Sequence, residues 1–185
     1  LTGLARMGIP TTDFMWERSA VHSTLMISGF FGTVIGLERA VASQRIWPYL
    51  APLFSGLAGL MLLYDQTMLL SPVLFTAASI VFALASVQVI IKQPALHNAS
   101  LLVAALLWLA GNGLWLGGGN PWTAIPYGLS FLVLTIAGER LELTRFLPPR
   151  PGSRWLFVII GVWIIGATIW SGHTAFTQNT ALGLA

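Results

Sequence analysis

Long uncharged apolar stretches alternate with short polar, Pro- and Gly-containing breaks along the chain. The first apolar run covers residues 19–37. It follows a helix-start signal at Thr11-Thr12-Asp13 and ends at Glu38-Arg39. The second run, 48–64, lies between Arg45 and Asp65, and the third, 71–91, stops at Lys92-Gln93-Pro94. The fourth, 98–117, is closed by Gly117-Gly118-Gly119-Asn120-Pro121, where successive glycines and a proline break a helix. The fifth, 123–138, runs into the charged segment Glu139–Arg145, and the sixth, 155–172, follows the stiff turn Pro148-Pro149-Arg150-Pro151-Gly152. Each run is close to the length a helix needs to cross roughly 30 Å of hydrocarbon at about 1.5 Å per residue. An outer-membrane barrel would instead show short strands of alternating polarity. The pattern predicts an all-α fold, a polytopic transmembrane helical bundle of six spans in a single domain over residues 1–185.

Composition supports this reading. Only 8% of the residues are charged against 56% hydrophobic, whereas soluble domains carry about 25% charged residues. So little polar side chain cannot coat a water-facing surface, which excludes a soluble enzyme, a nucleic-acid module and a disordered chain. The net charge of +3 is spread between the apolar runs and gathers on no one face, so it reads as a topology signal. Arg39, Arg45, Lys92, Arg140, Arg145, Arg150 and Arg154 fall on one side of the six spans, and Arg6 and Arg18 on the other. The positive-inside rule then expects both ends of the chain outside the cytoplasm of a bacterial inner membrane. Trp16, Trp115, Trp122 and Trp170 would belt the outer interface, with Trp47 and Trp155 at the inner one. Leu1 in first place and a loop-like Gln178-Asn179-Thr180 near the end point to a piece of a longer chain.

The first span carries the most chemistry. His22, Met26, Gly29, Thr33 and Gly36 recur at spacings of three and four, which place them on one stripe of a regular helix. Gly29, Gly32 and Gly36 would let a neighbouring helix approach closely. The stripe reads either as a packing seam or as a ligand pair, since His22 and Met26 would aim an imidazole and a thioether at one point, a pair that suits haem iron or copper. His173, after the sixth span, would end on the same side and is a third candidate, whereas His97 falls on the opposite side. The absence of cysteine removes thiolate chemistry and Cys-bound metals. No Ser-His-Asp set, HExxH or DxxxD pair suggests hydrolysis.

Glu38-Arg39 and Glu139-Arg140 end two spans that run in the same direction. Adjacent helical residues point apart and do not pair with each other, so Glu38 with Arg140 and Glu139 with Arg39 form a natural cross-helix lock. A proton or ion relay and simple snorkelling are the other readings. Asn112 and Gln88, polar groups within spans, are expected to hydrogen-bond between helices. The sequon Asn98-Ala99-Ser100 lies at the inner end of a helix, where no glycan is expected.

The segment His22-Ser23-Thr24-Leu25-Met26-Ile27-Ser28-Gly29-Phe30 resembles the His- and Met-containing, Gly-Phe helix opening of NnrS-type bacterial membrane proteins. The Gln93–Asn98 loop and Gly138-Glu139-Arg140 fit the same layout. That family is associated with nitric-oxide stress and with haem and copper, and its chains are longer, so this chain would correspond to their first half. Thr24 stands where the family places a second His. The stretch 36–42 with 138–143 is also similar to bacterial membrane proteins that share Gly-Leu-Glu-Arg and Gly-Glu-Arg segments and have no assigned function. The resemblance implies a haem- or copper-binding membrane protein with His22 and Met26 as ligands. Two alternatives stand beside it. One is a non-catalytic subunit of a larger membrane complex, partnered by other membrane subunits or by the missing half of its own chain. The other is a small-solute or ion transporter. In every case the lipid bilayer is the surrounding partner.

Overall fold

A computed structural model describes residues 21–64, 70–119, 121–143 and 151–182, the side chains of 151 and 175–182 excepted. Six helices follow in order: α1 Val21–Ser43, α2 Leu50–Tyr64, entered through a 3-10 turn at Trp47–Tyr49, α3 Leu70–Lys92, α4 Leu96–Leu116, α5 Pro121–Leu143 and α6 Pro151–Leu182. There is no strand among the described residues. Each span is long and apolar enough to cross a membrane, the 3-10 turn included in the second.

Several helices overrun the apolar runs that predict them. α1 continues through Glu38-Arg39 to Ser43 and stops only where Gln44 turns left-handed at φ 53. α5 likewise passes through Glu139-Arg140 to Leu143. Charge ends a segment's fitness for lipid but not for helix, since Glu and Arg are good helix formers. α6 starts on Pro151, where a missing N–H costs nothing. It runs past Gly172, so residues 178–180 are helical and not the loop expected of them. Arg6, Thr11–Asp13, Trp16, Arg18, Arg145 and residues 148–150 lie outside the described residues.

α4 and α5 form the centre of the bundle and pack most extensively on each other, with Ser100 Oγ donating to Leu134 O at 2.9 Å. Gly111 permits this approach, because a Cβ there would stand 2.6 Å from Tyr127 Cβ. α3 flanks α4, α2 flanks α3, and α1 closes the arrangement by touching both α2 and α5. The core is aromatic: Trp108 stacks on Phe131 with centroids 4.9 Å apart, and Phe82 meets both rings edge-on at 5.8 Å. Among the described residues α6 packs mainly on α5, and only 11% of its span is buried.

Trp115 departs from the expected outer belt. It is buried at 5% exposure against Phe75, because α4 is central and presents few faces to lipid. Trp155 and Trp170, on peripheral α6, are exposed.

A candidate ligand cavity at the charged end

Arg39, Arg45, Lys92, Arg140 and Arg154, the described Lys and Arg residues, all belong to one end of the bundle, where α1, α3 and α5 finish and α2, α4 and α6 begin. A cavity of about 300 Å³ opens there between α1, the 3-10 turn that leads into α2, α3, α4 and α5. Its polar walls carry Arg39, Arg45, Lys92 and Glu142, with Gln88 and Asn98 among the neutral groups. Its apolar lining includes Phe82 and Leu101, both buried core residues. The cavity thus reaches from the charged rim towards the aromatic core.

Local geometry fixes several of these groups. The left-handed residue Gln44 turns the chain after α1, and Arg45 N–H then donates to Ser43 Oγ at 3.3 Å. The Arg45 side chain crosses to α3 and donates from Nη1 to Gln88 Oε1 at 3.1 Å. Asn98 Nδ2 donates to Gln93 O at 2.8 Å and so pins the α3–α4 turn. Asn98 is 5% exposed.

α1 and α5 run parallel, with Ile27 against Gly128 near one end and Arg39 against Glu139 at the other. Arg39 Nη2 lies 3.4 Å from Glu139 Oε1, while its Nε is buried with no partner among the described residues. Of the two cross-helix pairs expected, the structure brings together this one. Glu38 and Arg140 are exposed and not joined, because facing Arg39 towards α5 turns its helical neighbour Glu38 away by about 100°.

The His/Met stripe is divided. Residues Leu25–Phe31 of α1 form a π-helix, in which Gly32 N–H reaches back to Ile27 O. This i→i+5 pairing changes the angular step that an α-helical stripe assumes. His22 and Met26 are both exposed, Thr33 is half-buried, and Gly29, Gly32 and Gly36 are buried. The glycines set the α1 contacts: Gly29 faces Gly59 Cα, Gly36 faces Pro52, and Gly32 lies under the Trp108 ring. The skipped carbonyl, Ser28 O, accepts the Ser55 hydroxyl at 2.5 Å, and Ser28 Oγ accepts Trp108 Nε1 at 3.0 Å. His173 is exposed on α6, at the end of the bundle opposite the cavity, as is His22. Among the described residues no group of three His, Cys, Asp or Glu could share a metal ion.

The family described as "Domain of unknown function (DUF8744)" matches residues 1–185. The chain belongs to this family. No curated protein and no solved structure matches it. For this DUF8744 member the cavity is what sequence reasoning missed. Arg45 and Lys92 read as topology signals and Gln88 as a helix-packing amide, and only folding brings them to one wall. The signal available was a polar residue within a span, Gln88, one turn before the cationic end of its helix. Asn112 does bond between helices, from Nδ2 to Phe75 O at 3.3 Å.

Proposed function

We propose that this membrane protein binds a small polar solute in the cavity at its charged end, as a solute carrier or a ligand-binding component does. The observation that carries this reading is the cavity itself. A chain with 8% charged residues places three cations and a carboxylate around one space of about 300 Å³. A pocket with a few convergent polar groups is the usual form of a ligand site. By the positive-inside rule this end faces the cytoplasm of a bacterial inner membrane. The absence of cysteine offers a direct test, because Ser86→Cys would put a single thiol on the cavity wall. A membrane-impermeant maleimide should modify it in inside-out vesicles and not in right-side-out ones. Protection in both would overturn an open cytoplasmic cavity.

The NnrS resemblance supports a second proposal, haem or copper at His22 and Met26. Its structural support is that both side chains are exposed within one turn of α1, where ligands from another chain could complete a site. A Soret band or stoichiometric copper in the purified protein, lost in His22→Ala, is the result expected of that reading. A colourless, metal-free protein would remove it. The scant burial of α6 supports the third proposal, a subunit docked to other membrane proteins.

A further inference from the structure

The lining of the cavity also specifies a ligand class, on the reading just given that the cavity is a binding site. Three cations and one carboxylate face it. Arg39 has Glu139 as counter-charge. Arg45 is held by a neutral amide, so among the described residues its charge is oriented but not neutralised. Lys92, exposed at the last turn of α3, makes no ion pair among the described residues. Gln88 uses its carbonyl oxygen on Arg45, which leaves the two N–H bonds of its amide as further donors. The hydroxyls of Ser43 and Ser86 are already donated to Ala40 O and Phe82 O. The unspent capacity around Arg45, Gln88 and Lys92 is therefore cationic and donating, and guanidinium and ammonium groups so placed match oxyanions.

We infer that the cavity takes an oxyanion, a phosphate or carboxylate group, held by Arg45, Lys92 and the Gln88 amide. Two sources share that chemistry. Trp47 lines the cavity at the helix ends, a depth at which aromatic rings meet lipid headgroups, and basic pockets between membrane helices hold anionic headgroups. The same rim is open to dissolved anions.

The test uses the full chain carrying Ser86→Cys, reconstituted in phosphatidylcholine vesicles and labelled with a neutral maleimide. Ala85→Cys serves as a second reporter on the same wall. Inorganic phosphate, at ionic strength matched with chloride, should slow labelling severalfold if the source is a dissolved oxyanion. Phosphatidylglycerol in the vesicle should slow it instead if the source is a headgroup. In either case Arg45→Gln combined with Lys92→Gln, both at exposed positions, should abolish the protection. Labelling that neither agent slows would overturn the inference while leaving the cavity standing. Protection that survives the double variant would also overturn it. A thiol that never reacts, even in phosphatidylcholine alone, would overturn the cavity and the oxyanion together.

Discussion

Gly32 shows how closely single positions constrain this bundle. A Cβ there would stand 2.7 Å from Trp108 Cζ2 and 2.9 Å from Ser55 Oγ. Trp108 is stacked on Phe131 and cannot yield. Gly32→Ala should therefore lower stability by about 1–3 kcal/mol, the range for overpacking. Gly166, on the open side of α6, has nothing within 4 Å of a new Cβ. There Gly166→Ala should be neutral or stabilise by up to about 1 kcal/mol through helix propensity. Reversible unfolding in mixed detergent would check both. Arg39 and Glu139 give a second residue-scale prediction. Both are partly exposed and 3.4 Å apart, so their coupling belongs at the low end for touching charges, about 0.5–1 kcal/mol. Arg39→Glu and Glu139→Arg should each lose folded protein, and the double exchange should recover part of it. A double variant no better than the worse single would remove the lock. This pair was legible before folding, because spans in the same direction place their terminal charges at similar depth. The Trp108 contact was not, since nothing local says which helix lies above Gly32.

At the scale of the element, α1 is where regular periodicity misleads. The spacing of His22, Met26 and Gly29 describes one stripe only if every turn is α-helical, and the π segment at Leu25–Phe31 changes the step. What holds that segment comes from other helices: Ser55 from α2 and Trp108 from α4, both on Ser28. Ser55→Ala should destabilise the protein by about 0.6–1.7 kcal/mol, the scale of hydrogen bonds between membrane helices. Amide exchange across residues 25–31 should quicken as Ser28 O loses its donor. Unchanged exchange would show that the π geometry does not depend on Ser55. The limits of α1 and α5 were blurred for a simpler reason, because hydropathy marks where lipid ends and the helix carries on through Glu and Arg.

For the whole molecule, burial is uneven. α4 and α5 have 50% of their spans buried and α6 only 11%. The α5–α6 seam rests on features such as the Ser130–Thr168 hydroxyl pair and the close fit of Gly172 to Tyr127. A chain ending before Pro151 should therefore keep the α1–α5 core. Near-UV circular dichroism from the Trp108–Phe131 stack should be retained in detergent, and its loss would show that α6 is integral. The number of spans, their rough limits and the segregation of positive charge were decided by the sequence alone. Lipid sets helix length through hydrophobicity, and hydrophobicity is a local property of the chain. The burial of Trp115, the π turn against Trp108 and the meeting of Arg45 with Gln88, 43 residues away, were decided only by the tertiary structure. Within lipid every apolar face is equally solvated, so helices choose their neighbours by close fit and hydrogen bonding between distant segments, which hydropathy does not encode.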